Sequence, residues 1–179
     1  MLKLVHALIV GLIGAAILHG VIILALPAFS ERNAYARIVA GGPEGVFRPV
    51  VHDPSGQGAL APQDPFVNQM ACAYDLQAGP VMINASGEAE FWSFAVFDST
   101  SSEVFSISDR SAEAGKLDAI LALPAQAAQL RKSFPERMAR MILIEVPDEL
   151  GYAVLRTVTP HESMRQQSLD FLKSARCTP

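Results

Sequence analysis

The chain has 179 residues, half of them apolar, and a formal net charge of −4. That length suits one domain with a core of its own plus a terminal segment. All 18 acidic residues lie beyond position 26 with 13 of the 14 basic ones, so this part carries 13 − 18 = −5. Such a balance argues against nucleic acid and against a domain spread on anionic lipid.

Leu4 to Leu26 contains no Asp, Glu, Lys or Arg, and its only strongly polar side chains are His6 and His19. At ~1.5 Å per residue the stretch runs about 34 Å, enough for a bilayer core of ~30 Å. Pro27 follows and is expected to end the helix. The reading is a signal anchor over residues 1–29 and an exposed domain over 30–179. The competing reading is a cleavable signal peptide. Its apolar core would be unusually long, and the A-x-A-like site at Ala34-Tyr35-Ala36 lies far from the apolar run. Lys3 precedes the helix while Arg32 and Arg37 follow it, so flanking charge does not decide orientation.

Within the anchor, Ala7, Gly11 and Ala15 recur every fourth residue, and His19 continues the stripe. Small side chains on one helix face let two helices approach closely in lipid, and His19 can hydrogen-bond to a partner helix. The plainer reading is that Ala and Gly are common in membrane helices.

Beyond the anchor, residues 31–40 read as a short helix that Gly41-Gly42-Pro43 breaks. Short strands are predicted at 47–52, 70–76, 81–85, 91–97, 104–108, 117–123, 141–146 and 152–158, separated by Gly, Pro, Asp and Ser turns. In Phe91–Phe97 both faces carry large or apolar side chains, as in a covered central strand. Pro124 opens a helix, since proline suits the first turn. Ser133 with Glu136, and Thr159 with Glu162, fit capping boxes. The helix after Thr159 carries Met164, Ser168, Phe171, Leu172 and Ala175 on one side and is expected to reach Cys177. The fold class is α+β and mainly β: an antiparallel, sandwich-like domain with added helices behind one transmembrane helix.

Cys72 and Cys177 are the only cysteines. In an oxidising compartment they can pair, which would place the domain in the periplasm; two unrelated buried thiols are the alternative.

The search for catalytic machinery finds no G-x-S-x-G, P-loop, G-x-G-x-x-G or H-E-x-x-H pattern. His52 and Asp53 are adjacent, so on a strand they point to opposite faces. His161 falls in a helix first turn. The expectation is therefore no enzyme, no cofactor and no metal. Asp109-Arg110 closes a strand. It reads either as a binding corner, with Arg110 gripping a carboxylate, or as a turn with a local ion pair. Trp92, the sole tryptophan, reads as core.

Leu26-Pro27-Ala28-Phe29-Ser30-Glu31-Arg32-Asn33-Ala34, Asp64-Pro65-Phe66, Cys72-Ala73-Tyr74-Asp75-Leu76 and Gly79-Pro80 form a familiar set. The run from Phe91-Trp92-Ser93 to Asp109-Arg110 and the C-terminal Ala175-Arg176-Cys177 extend it. In these the chain resembles the domain-of-unknown-function 1254 family. Ser108 departs from the asparagine expected before Asp-Arg, which weakens a role for that corner. The resemblance implies a bacterial inner-membrane anchor, a β-rich periplasmic domain and a companion of the domain-of-unknown-function 1214 type, with no established reaction. The expected function is a non-enzymatic subunit of an envelope complex, docking that companion. The alternative is a periplasmic module for a small acidic or apolar ligand, with Arg110 or Arg156 as the anchor for an acidic one.

Overall fold

A computed structural model describes residues 2–30, 34–50, 64–112, 115–134, 136 and 140–179. His52, Asp53 and most of the 52–65 loop lie outside them, as does Pro135 within the first proposed capping box. The chain divides into two units, Met1–Asn33 and Ala34–Pro179.

The first unit is helix α1 (Leu2–Ser30), with no acidic residue in its first turn and no basic one in its last. Its stretch Lys3–Ala25 is long and apolar enough to cross a membrane. Leu4 is 71 % and Leu24 81 % exposed, and the large apolar side chains between them are 50–66 % exposed, so the apolar surface runs round the whole helix. A helix of that kind is at home in an apolar medium. The helix does not stop before Pro27 but continues to Ser30. Proline removes one ladder hydrogen bond, to the carbonyl four residues back, and the chain can stay helical beyond that gap.

In the second unit two sheets face each other. The five-stranded sheet has the order β1-β2-β8-β4-β5 and the four-stranded sheet β7-β6-β3-β9. The strands are β1 (Arg48–Pro49), β2 (Val67–Asp75), β3 (Val81–Ala85), β4 (Trp92–Asp98), β5 (Glu103–Ser108), β6 (Leu117–Ala122), β7 (Ile142–Glu145), β8 (Leu150–Val158) and β9 (Arg176–Thr178). Alternation fills the space between the sheets. Cys72, Tyr74, Trp92, Phe94, Val96, Ala153 and Leu155 come from one sheet, and Val81, Ile83, Leu117, Ala119, Leu121 and Cys177 from the other. The mainly antiparallel, sandwich-like arrangement with added helices is the architecture expected from the alternation and turn signals.

Cys72 on β2 and Cys177 on β9 form a disulfide of 2.07 Å that ties the two sheets together through the core. Helix α2 (Ala34–Ala40) lies on the outer face of the five-stranded sheet. There Ala34, Tyr35 and Ile38 pack with Val50 and Phe97 on buried Ala71, Tyr152 and Val154. Helix α3 (Pro124–Ser133) connects β6 to β7, which pair parallel rather than antiparallel. Strand–helix–strand connections bring consecutive strands side by side in parallel, and this one does so inside a mostly antiparallel sheet. Proline opens α3 as expected, and Gln126 Oε1 accepts the Leu123 N–H at 3.0 Å.

The last segment differs from expectation in two places. The helix there, α4 (Arg165–Ser174), begins only after a 3-10 turn at Glu162–Met164, with no side-chain cap at His161. Thr159 is buried and its Oγ1 accepts from Asn68 Nδ2 at 2.9 Å, so it is drawn inward and does not cap the turn. The helix also stops at Ser174, because Arg176–Thr178 pairs with Met82, Ile83 and Asn84 as β9. The packing face is as expected: Ser168, Phe171, Leu172 and Ala175 are buried, and Phe171 stacks on Trp92 at 5.8 Å.

Candidate functional site

The register of the five-stranded sheet aligns four polar side chains on its outer face. Gln69 on β2 lies opposite Arg156 on β8, Arg156 opposite Ser93 on β4, and Ser93 opposite Ser108 on β5. All four are half-buried. Their chain neighbours on β8 and β4, Leu155, Thr157, Trp92 and Phe94, face inward. Period-two alternation therefore turns the four residues away from the core. The Arg156 Nε donates to Gln69 Oε1 at a long 3.4 Å. Among the described residues the Ser93 and Ser108 hydroxyls have no hydrogen-bond partner. In the next row Ala71, Val154 and Ala95 are each at most 5 % exposed, the first two packed under helix α2, and Ser106 on β5 ends it.

The Asp109-Arg110 corner is a tight turn after β5. The Asp109 N–H donates to the Trp92 carbonyl at 3.1 Å, and the Ser111 and Ala112 N–H groups both reach the Ser108 carbonyl. Asp109 Oδ1 is buried without a hydrogen-bond partner among the described residues, while Arg110 points into an exposed position. No ion pair joins either residue to another described side chain, so the local pair expected there does not form. Trp92 is core, 1 % exposed, with its Nε1–H donating to the Gly115 carbonyl at 3.0 Å.

A groove of about 770 Å³ opens on the outer face of the four-stranded sheet. Asn84 and Asp118 are cross-strand neighbours in its floor, with Glu136 and Arg140 beside the exposed ring of Phe134. Opposite charges share this groove.

Three tyrosines have phenols harder to ionise than usual. Burial is the main cause at Tyr74, reinforced by the Asp98 and Asp148 carboxylates. Burial dominates at Tyr35, with Glu44 and Asp75 adding to it, and at Tyr152, where Ser101 and Arg156 oppose it. Tyr74 donates to the Phe97 carbonyl at 3.0 Å, a structural use of its hydroxyl. His161 is exposed, and His52 lies outside the described residues. Among the described residues no three His, Cys, Asp or Glu side chains gather as metal ligands.

Of the residues singled out from sequence, Cys72 and Cys177 are brought together. Ala7, Gly11, Ala15 and His19 keep their spacing along one unbroken helix, all exposed. Arg156 joins a polar row, and Arg110 follows Ser108 by two residues without entering it. Nothing in the sequence groups Gln69, Ser93 and Ser108 with Arg156, because only the pairing register aligns them in one row.

Sheet order, disulfide and leading helix define a class: a two-sheet, disulfide-bridged β domain behind a helix long and apolar enough to span a membrane. The family described as protein of unknown function (DUF1254) matches residues 54–179, well over half of the chain. The chain belongs to that family. None of the curated proteins matches it. Among solved structures, the VPA0106 protein from Vibrio parahaemolyticus is similar in fold, with a TM-score of 0.58 and 13 % identity over 84 % of this chain. An uncharacterised protein from Burkholderia cenocepacia covers 63 % of the chain at 14 % identity with a TM-score of 0.41. The chain spans only about a third of either structure's length, 35 % and 31 %.

Proposed function

We propose that the protein is a non-enzymatic, single-pass subunit of a bacterial envelope complex. Helix α1 anchors it in the inner membrane, and the disulfide-bridged domain stands in the periplasm. There it docks a companion single-span protein of the domain-of-unknown-function 1214 type. The observation that carries the reading is the 23-residue span Lys3–Ala25, none of it buried within the structure. Apolar surface of that extent calls for lipid and for other helices to pack on. The Cys72–Cys177 bridge supports an oxidising compartment.

Affinity purification of the full chain from a mild detergent tests it. The expected result is a second single-span protein recovered in near-equal amount. Recovery of the chain alone, as a monomer, would overturn the docking reading.

A further inference from the structure

We propose that the groove on the outer face of the four-stranded sheet binds a basic α-amino acid, a ligand with one carboxylate and two positive charges. The site stands independently of the docking reading, since it involves neither α1 nor a companion.

Register builds the floor. Asn84 on β3 lies directly opposite Asp118 on β6. Their chain neighbours Ile83, Ala85, Leu117 and Ala119 are each at most 2 % exposed. Alternation therefore turns Asn84 and Asp118 out of the core side by side, with Cβ atoms about 5 Å apart. The segment after α3 supplies the wall, with Phe134, Glu136, Arg140 and Met141 lining the same cavity. Its volume of about 770 Å³ falls within the range of small-molecule sites, about 300–1,000 Å³.

The charges in this groove are left unused. Elsewhere Arg131 pairs with Glu145, Arg165 with Glu162 and Lys173 with Asp170. Asp118, Glu136 and Arg140 line one cavity, yet none pairs with another or with any other described side chain. The Asn84 amide likewise has no hydrogen-bond partner among the described residues. Polar groups spread round a cavity without touching one another can each meet a separate group of one ligand.

Their signs select that ligand. Two carboxylates against one guanidinium leave the lining at 1 − 2 = −1, so its complement carries +1. The chain beyond the anchor carries 13 − 18 = −5, and its field draws cations and opposes phosphates and dicarboxylates. The fork of Arg140 suits a carboxylate, gripped through parallel hydrogen bonds. Asp118 and Glu136 each take one positive group. The Phe134 ring, 56 % exposed, and Met141 offer apolar surface to the alkyl stem, and the ring face attracts a cation. A plain diamine leaves Arg140 unanswered, and an apolar amino acid leaves one carboxylate unanswered. A basic amino acid answers all three.

The test is equilibrium dialysis of the full chain in neutral detergent, at constant ionic strength, against L-lysine, cadaverine and L-norleucine. Cadaverine lacks the carboxylate, and norleucine lacks the second ammonium group. The expected result is saturable binding of lysine, with each of the other two weaker by about tenfold, the effect of losing one hydrogen-bonded contact to a charged group. Arg140→Gln should bring lysine down to the level of cadaverine and leave cadaverine unchanged. Lysine that does not saturate, equal binding of the three, or an Arg140→Gln variant that loses cadaverine as much as lysine would overturn the proposal. If that variant does not fold, the comparison of the three ligands on the wild type decides alone.

Discussion

Replacing Cys72 and Cys177 with alanine removes the covalent tie between the two sheets. The bridge closes a separation of 105 residues. Loop-closure entropy for a link of that length stabilises the folded chain by about 4.7 kcal/mol in the chain-entropy model. A unit of roughly 150 residues melts with an entropy of about 0.3 kcal/mol/K, so the melting temperature should fall by about 15 °C. The loss should also be uneven. Strand β9 is held by only three paired residues, whereas β3 pairs with β6 over five. Positions 176–178 should therefore exchange their amide hydrogens far faster in the variant, while the β3–β6 ladder stays protected. Urea denaturation of the full chain in detergent, followed by the fluorescence of the single buried Trp92, reads the stability. Hydrogen exchange reads the strand. A stability loss below about 1 kcal/mol, or equal exchange in β9 and β3, would refute this account of the bridge.

Gly151→Ala should destabilise by about 3 kcal/mol, because a Cβ there would sit 2.3 Å from both the Phe97 carbonyl oxygen and the Tyr74 hydroxyl. Denaturation midpoints check this; a neutral substitution would contradict the packing described. Alkaline pH should also weaken the fold. Tyr74, Tyr35 and Tyr152 have raised folded-state pKa values, so their contribution is whole below the unfolded value of about 10 and is lost as pH rises past it. Stability should hold flat from pH 7 to 9 and drop above 10, with a smaller drop in Tyr74→Phe. Gly11→Leu with Ala15→Leu should reduce recovery of the companion at least fivefold in co-purification without changing the melting of the domain, since a Cβ at Gly11 meets nothing within the structure.

Much of the domain was legible because its strands carry their own signals. Val81–Ala85 and the core of Trp92–Asp98 announce themselves by β-branched and aromatic residues between turns. Pro124 marks the start of α3 for a local reason, its fixed backbone angle. What was not legible depends on partners distant in sequence. Arg176–Thr178 is too short to show a strand pattern and becomes one only beside β3. Thr159 has the right residue type and spacing for a cap, but Asn68, 91 positions away, takes its hydroxyl. Leu150 and Gly151 read as turn, yet β8 needs glycine there because Tyr74 crosses over it. The Arg156 row is hidden for the same reason: four residues on four strands fall into line only through register.

Protease accessibility in a bacterial host tests the tethered arrangement most directly. After alkaline washing, the intact chain should remain in the membrane fraction, and its domain should be digested only once the outer membrane is opened. Release of the intact chain by the wash, or a domain that resists protease until the inner membrane is dissolved while its soluble control is cut, would contradict it.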